Sequence, residues 1–179
     1  GDAVDLAAWE LALPTRLAFG AGEIDRLGAH AHDLGACRAF VFTDQGVVAA
    51  GHLERACKSL EAAKLQVRYF DWVTENPNTE DVEAGIAAIG DYQVDLLVGL
   101  GGGSSLDVAK ACNLIRAGGG RMEDYWGVGK ARGTLLPMIA VPTTAGTGSE
   151  MQSFALIEQV ATHQKMACGD AQAAPKVAI

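Results

Sequence analysis

The sequence predicts a doubly wound α/β domain with a mostly parallel sheet, the Rossmann-like class. Three observations carry this. Short β-rich apolar runs alternate with longer stretches of helical periodicity. The connections between them are short, and 22 glycines with plentiful alanine suit helices packed tightly on a sheet. Strands joined through crossover helices run parallel, and ligands of such sheets bind outside the carboxyl ends of the strands.

Each element follows in order. Arg38 to Thr43 is a buried strand stopped by Asp44 and Gly46, and Val47 to Lys64 carries apolar residues at helical spacing. Val67 to Val73 returns as a strand and ends in the turn Asn76-Pro77-Asn78. Thr79 is the expected N-cap of a helix reaching Asp91, with Asp81 and Glu83 in its first turn. Asp95 to Leu100 is a strand running into Gly101-Gly102-Gly103. Ser104 then opens a helix to Ala117, with Asp107 at the capping-box position. Pro137 to Val141 is a further strand. Beyond Glu150, Phe154–Ile157, Gln164–Ala167 and Lys176–Ile179 read as short strands without long helices between them. The last of these stops in mid-element, so residues 1–179 are expected to be an N-terminal domain with more chain after it.

Composition narrows the function. With 14 Lys+Arg against 22 Asp+Glu the net charge is −8, which does not suit a phosphate-neutralising nucleic-acid surface. No apolar run approaches the roughly 18 residues of a membrane helix, and no basic-then-apolar leader opens the chain. Cys37, Cys57, Cys112 and Cys168 stand singly, as reduced thiols of a cytoplasmic protein would.

Two segments carry the chemistry. In Gly99-Leu-Gly-Gly-Gly-Ser-Ser-Leu-Asp-Val-Ala-Lys110 a strand feeds a glycine turn that opens a helix. Glycines let the backbone approach an anion, and the first N–H groups of the helix point at it. Gly101, Gly102, Gly103 and Ser104 are therefore the expected phosphate-binding turn. The usual dinucleotide fingerprint is met only as Gly99-x-Gly101-x-x-Ser104. The ribose acid could be Glu123 or Asp124 by spacing, but Asp44 fits better because it ends a complete buried strand. The second segment, Val141-Pro-Thr-Thr-Ala-Gly-Thr-Gly-Ser-Glu150, offers hydroxyls and small residues after another strand.

Together these two motifs resemble the iron-containing (group III) alcohol dehydrogenase family. Phe19-Gly20, Phe42-Thr43-Asp44 and Asn76-Pro77 stand in the order that family shows. The resemblance implies that Asp44 contacts the adenosine ribose, favouring NAD over NADP, and that Asn76 is a strand-end cofactor contact. It implies that Gly103 and Ser104 hold the pyrophosphate, that Thr143, Thr144, Gly146 and Thr147 surround the phosphates and nicotinamide ribose, and that Lys165 lies near that ribose. It further implies an alcohol, aldehyde or ketone substrate, a homodimer as a common assembly, and a divalent metal, usually iron. That metal is held by one aspartate and three histidines of a helical domain expected after residue 179. No catalytic residue and no metal ligand is assigned here. His30 and His32 lie two apart on a helix, about 200° around its axis, and cannot share a metal; His52 has no H-x-x-x-H partner, and His163, on the same side of a strand as Lys165, reads as a solvated surface residue, with a place near the cofactor as the alternative. A polyol dehydrogenase of the same superfamily, and a nucleotide-binding fragment without catalysis, are the alternatives.

Overall fold

The computed structural model describes residues 15–18, 22–143 and 152–179. Its frame is a six-stranded, wholly parallel sheet. In chain order the strands are β1 (Arg16–Leu17), β2 (Arg38–Phe42), β3 (Gln66–Phe70), β4 (Leu96–Gly101), β6 (Met138–Pro142) and β9 (Val177–Ala178). They lie side by side as β1-β9-β6-β4-β2-β3. A second sheet is made of β5 (Gly127–Val128), β7 (Phe154–Glu158) and β8 (Lys165–Gly169), with β8 in the middle. β7 and β8 form an antiparallel hairpin.

Period-two side-chain alternation gives the large sheet two apolar faces. Ala39, Val41, Leu96, Val98 and Ile139 point to one side. There they bury against α1 (Leu27–Asp33) and α3 (His52–Ala62) through Leu27, Ala31, Leu53, Ala56 and Leu60. Phe40, Phe42, Leu97 and Met138 point to the other side. They meet Val82 and Ile89 of α4 (Thr79–Ile89), Val108 and Cys112 of α5 (Gly103–Gly118), and the inner face of the small sheet. Gly99 is a glycine because α5 crosses β4 there: an added Cβ would sit 2.6 Å from Leu106 Cδ2 and 3.3 Å from its Cα.

The structure departs from the sequence reading at three helix starts. The single helix expected over 47–64 is two, α2 (Gln45–Ala49) and α3, because Gly51 adopts a left-handed φ of 85° and caps the second. Asn78, not Thr79, caps α4, accepting from the N–H groups of Glu80 and Asp81 while the Asp81 carboxylate accepts from the Asn78 N–H. Gly102, not Ser104, caps α5, so Asp107 lies inside the helix and not at the capping-box position. The short strand expected over Lys176–Ile179 is β9, which inserts between β6 and β1.

No described helix is long and apolar enough to cross a membrane. The four cysteines are free. Burial pushes the thiols of Cys57 and Cys168 up to about 11, which leaves them as packing groups and not nucleophiles.

Candidate functional site

The order of the large sheet places its switch point between β2 and β4. From β2 the chain moves outward to β3, then returns to lay β4 on the opposite flank. The loops leaving two neighbouring strands thus diverge and leave a crevice at their carboxyl ends. A cleft of about 660 Å³ opens there. Asp44 and Gly46 after β2, Val73 and Thr74 after β3, Gly102, Gly103 and Ser104 after β4, and Thr143 after β6 line it.

Asp44 is fixed before any ligand is considered. One carboxylate oxygen accepts from the Val47 N–H at 2.9 Å, as N-cap of α2. The other lies beside Gly101, where an added Cβ would come within 3.4 Å of it. The residue both caps a helix and lines the cleft. Gly101 itself has a φ of 140°, and a Cβ there would also meet the Ser105 hydroxyl at 3.0 Å. Only glycine suits that position.

The start of α5 faces the same cleft. Its cap, Gly102, offers no side-chain hydrogen bond to the first N–H groups of the helix. Ser105, only 1% exposed, lies behind the turn and does not line the cleft; its hydroxyl has no partner among the described residues. Orphan donors at an uncapped helix start beside a glycine turn are the groups that an anion satisfies.

A smaller pocket of about 230 Å³ continues from the cleft, with Glu75, Gly103 and Ser104 lining both. Asn76, Pro77, Asp107, Leu156, Glu158 and Lys165 complete it. Two backbone features hold it together. Asn76 adopts a left-handed φ of 51°, and the Glu158 N–H donates to the Pro77 carbonyl at 3.0 Å, docking the β7–β8 hairpin on that turn. Lys165 Nζ then donates to Asn76 Oδ1 at 3.4 Å. Lys110, fully buried on α5, reaches the Phe154 carbonyl at 3.5 Å. Burial raises the Asp107 carboxyl to about 6, while the neighbouring Lys110 ammonium, the Leu156 N–H and Lys165 oppose the rise.

Asp44, Gly102, Gly103, Ser104 and Thr143 therefore meet in one cleft, Gly101 packs directly behind it, and Asn76 and Lys165 meet in the adjoining pocket. Thr144, Gly146, Thr147 and the Phe19-Gly20 pair lie outside the described residues. The sequence reading missed the walls Val47, Ala50, His52, Val73 and Thr74, and the buried hydroxyl of Ser105. Ser105 stood inside the glycine motif and could have been singled out; the walls carry no signal of their own. His163 is not among the residues that line the pocket. It sits at the hairpin turn with a φ of 57° and pairs with Glu158 at 2.9 Å. Among the described residues no three or more His, Cys, Asp or Glu side chains are grouped to hold a metal ion.

The sequence model described as "Iron-containing alcohol dehydrogenase" matches residues 14–179. The chain belongs to that family. It is 36% identical over 167 residues to the NAD-dependent methanol dehydrogenase of Bacillus methanolicus, covering 93% of this chain and 44% of that one. In structure it is similar to a 1,3-propanediol oxidoreductase, with a TM-score of 0.86 and 30% identity over 92% of this chain and 43% of that one. It is also similar to the sulfoacetaldehyde reductase of Bifidobacterium kashiwanohense in complex with NAD+, with a TM-score of 0.84 and 31% identity, covering 93% and 44%. The chain thus spans under half the length of the family members it matches, and over that span the doubly wound fold is shared.

Proposed function

We propose that this chain is the NAD-binding domain of an alcohol dehydrogenase of the iron-containing family. The observation that carries the reading is the switch-point cleft, where Asp44 and the uncapped, glycine-led start of α5 meet a ligand-sized space. Asp44 would accept the adenosine ribose hydroxyls, and its pinned carboxylate would oppose the 2′-phosphate of NADP. Gly102, Gly103 and Ser104 would seat the pyrophosphate on the start of α5, with Thr143, Thr144, Gly146 and Thr147 closing over it. Asn76 and Lys165 would orient the nicotinamide ribose in the adjoining pocket. Bound there, the nicotinamide supplies the hydride acceptor for oxidation of an alcohol to an aldehyde or ketone.

In this reading residues 1–179 form a domain that supplies the cofactor half, and chain after Ile179 forms a helical domain. The metal expected of the family, iron, is assigned to that later domain, because the described residues do not fit it. A homodimer and a cytoplasmic location complete the proposal.

Calorimetric titration of the chain with NAD and NADP tests it. NAD should bind more tightly, and Asp44→Gly should narrow the difference by removing the repulsion. Equal or stronger binding of NADP by the unsubstituted chain would refute the role given to Asp44, and binding of neither would refute the reading as a whole.

A further inference from the structure

The smaller pocket holds more negative charge than an anionic ligand calls for. Three carboxyl groups, of Glu75, Asp107 and Glu158, surround it with the ammonium of Lys165. The three are not equivalent. Glu75 is exposed, and the Glu158 carboxylate is engaged by His163 at 2.9 Å. Asp107 is half-buried on the first two turns of α5, which itself carries the proposed pyrophosphate seat.

We propose that Asp107 sets the preference of this site for the oxidised over the reduced dinucleotide, because its carboxylate favours the positive ring of NAD+ and gains nothing from the neutral ring of NADH. The inference rests on the dinucleotide reading above and deepens it. A ligand whose adenosine lies by Asp44 and whose phosphates lie on α5 continues past Gly103 and Ser104 into the pocket that Asp107 lines. The two redox forms are alike in the cleft and differ by one unit of charge in the pocket. A charged group there is therefore where discrimination between them is cheapest to build.

The same arrangement makes the preference depend on pH. Asp107 is faced by Lys110 from its own helix, by the Leu156 N–H and Glu158 from β7, by Lys165 from β8, and by Glu75 from the loop after β3. Burial lifts its titration to about 6, and the two lysines and the N–H keep it from rising further. Above that pH the pocket carries the carboxylate; below it, the neutral acid. The affinity for NAD+ relative to NADH should rise as pH rises through this window. By linkage, NAD+ should lower the titration midpoint of Asp107 more than NADH does.

Isothermal titration with NAD+ and with NADH from about pH 5 to about pH 8, on the unsubstituted chain and on Asp107→Asn, decides it. The ratio of the NADH to the NAD+ dissociation constant should rise on the order of five-fold across the range, the scale of one charge across a partly solvated pocket. In Asp107→Asn the ratio should stay at its low-pH value, and Asp107→Glu should restore the rise. A ratio independent of pH, or one that changes equally in Asp107→Asn, overturns the inference and leaves the dinucleotide reading standing. Absence of binding to either form by the unsubstituted chain overturns both. Should Asp107→Asn not fold, carbon NMR of the Asp107 carboxyl in the unsubstituted chain decides instead: a lower midpoint with NAD+ than with NADH supports the inference, and an equal midpoint in the two complexes refutes it.

Discussion

Replacing Asp107 by asparagine should stabilise the chain at neutral pH, and the gain should fade in acid. The carboxyl is raised from 3.8 to about 6, chiefly by burial. An unfolded chain gives up this proton near the ordinary value, so between the two the native state holds a proton that the unfolded state lacks. Native stability must then fall as pH climbs through that window, and the loss is complete above it. At about 1.4 kcal/mol per pH unit the cost is about 3 kcal/mol, an upper bound because the group keeps some contact with water. We expect about 2 kcal/mol in practice, or about 4–8 °C in melting temperature for a domain of this size. Asparagine keeps the shape and removes the charge. Urea unfolding followed by circular dichroism at about pH 7.5 should show Asp107→Asn as the more stable chain, and at about pH 4 most of the difference should be gone. A less stable variant at the higher pH would refute the reasoning. It would mean that Lys110, Lys165 and the Leu156 N–H outweigh burial. An equal difference at both pH values would show that proton linkage is not the cause.

Two further outcomes follow from the glycine turn and the cap of α4. Gly103 is the first residue of α5 and needs no left-handed backbone, so Gly103→Val should abolish NAD binding with little change in melting temperature; Gly101, with its φ of 140°, should instead lose about 1–3 kcal/mol as Gly101→Ala. One titration and one melt on each variant separate ligand contact from backbone need, and undiminished NAD binding by folded Gly103→Val would remove the turn from the site. Asn78→Ala should cost about 1 kcal/mol by opening the capping box with Asp81, read as a lower urea midpoint at an unchanged slope.

The parallel sheet was legible in the sequence because its central strands are buried on both faces and read as unbroken apolar runs. Leu96 to Leu100 is the plainest case. The glycine turn was legible because close backbone approach can be met by few residue types. Helix starts were misplaced by one or two residues where two capping residues compete. Asn78 and Thr79 are both good caps, and only the Asp81 side chain decides between them. The break at Gly51 was invisible because the apolar spacing continues through it. The site beyond the glycine turn was least legible. Lys165 and Asn76 are 89 residues apart, and nothing local foretells that the β7–β8 hairpin docks on the turn after β3. The burial that lifts Asp107 has the same long-range origin.

The place of β9 in the large sheet sets a timetable. β1 lies at the sheet edge with β9 as its neighbour, Arg16 opposite Val177, and the Thr15 hydroxyl donates to the Pro175 carbonyl at 2.6 Å. The partners are separated by 160 residues. On a ribosome making about 5–20 residues each second, residues 15–18 wait roughly 10–30 s for the strand that will hold them. The inner strands, β2, β3 and β4, can pair long before that. Residues 15–18 are thus among the last of the described residues to join the sheet. Once β6 is made and until β9 follows it, the flank of β6 that β9 will cover is a row of unpaired backbone groups that a growing chain has to keep from other strands.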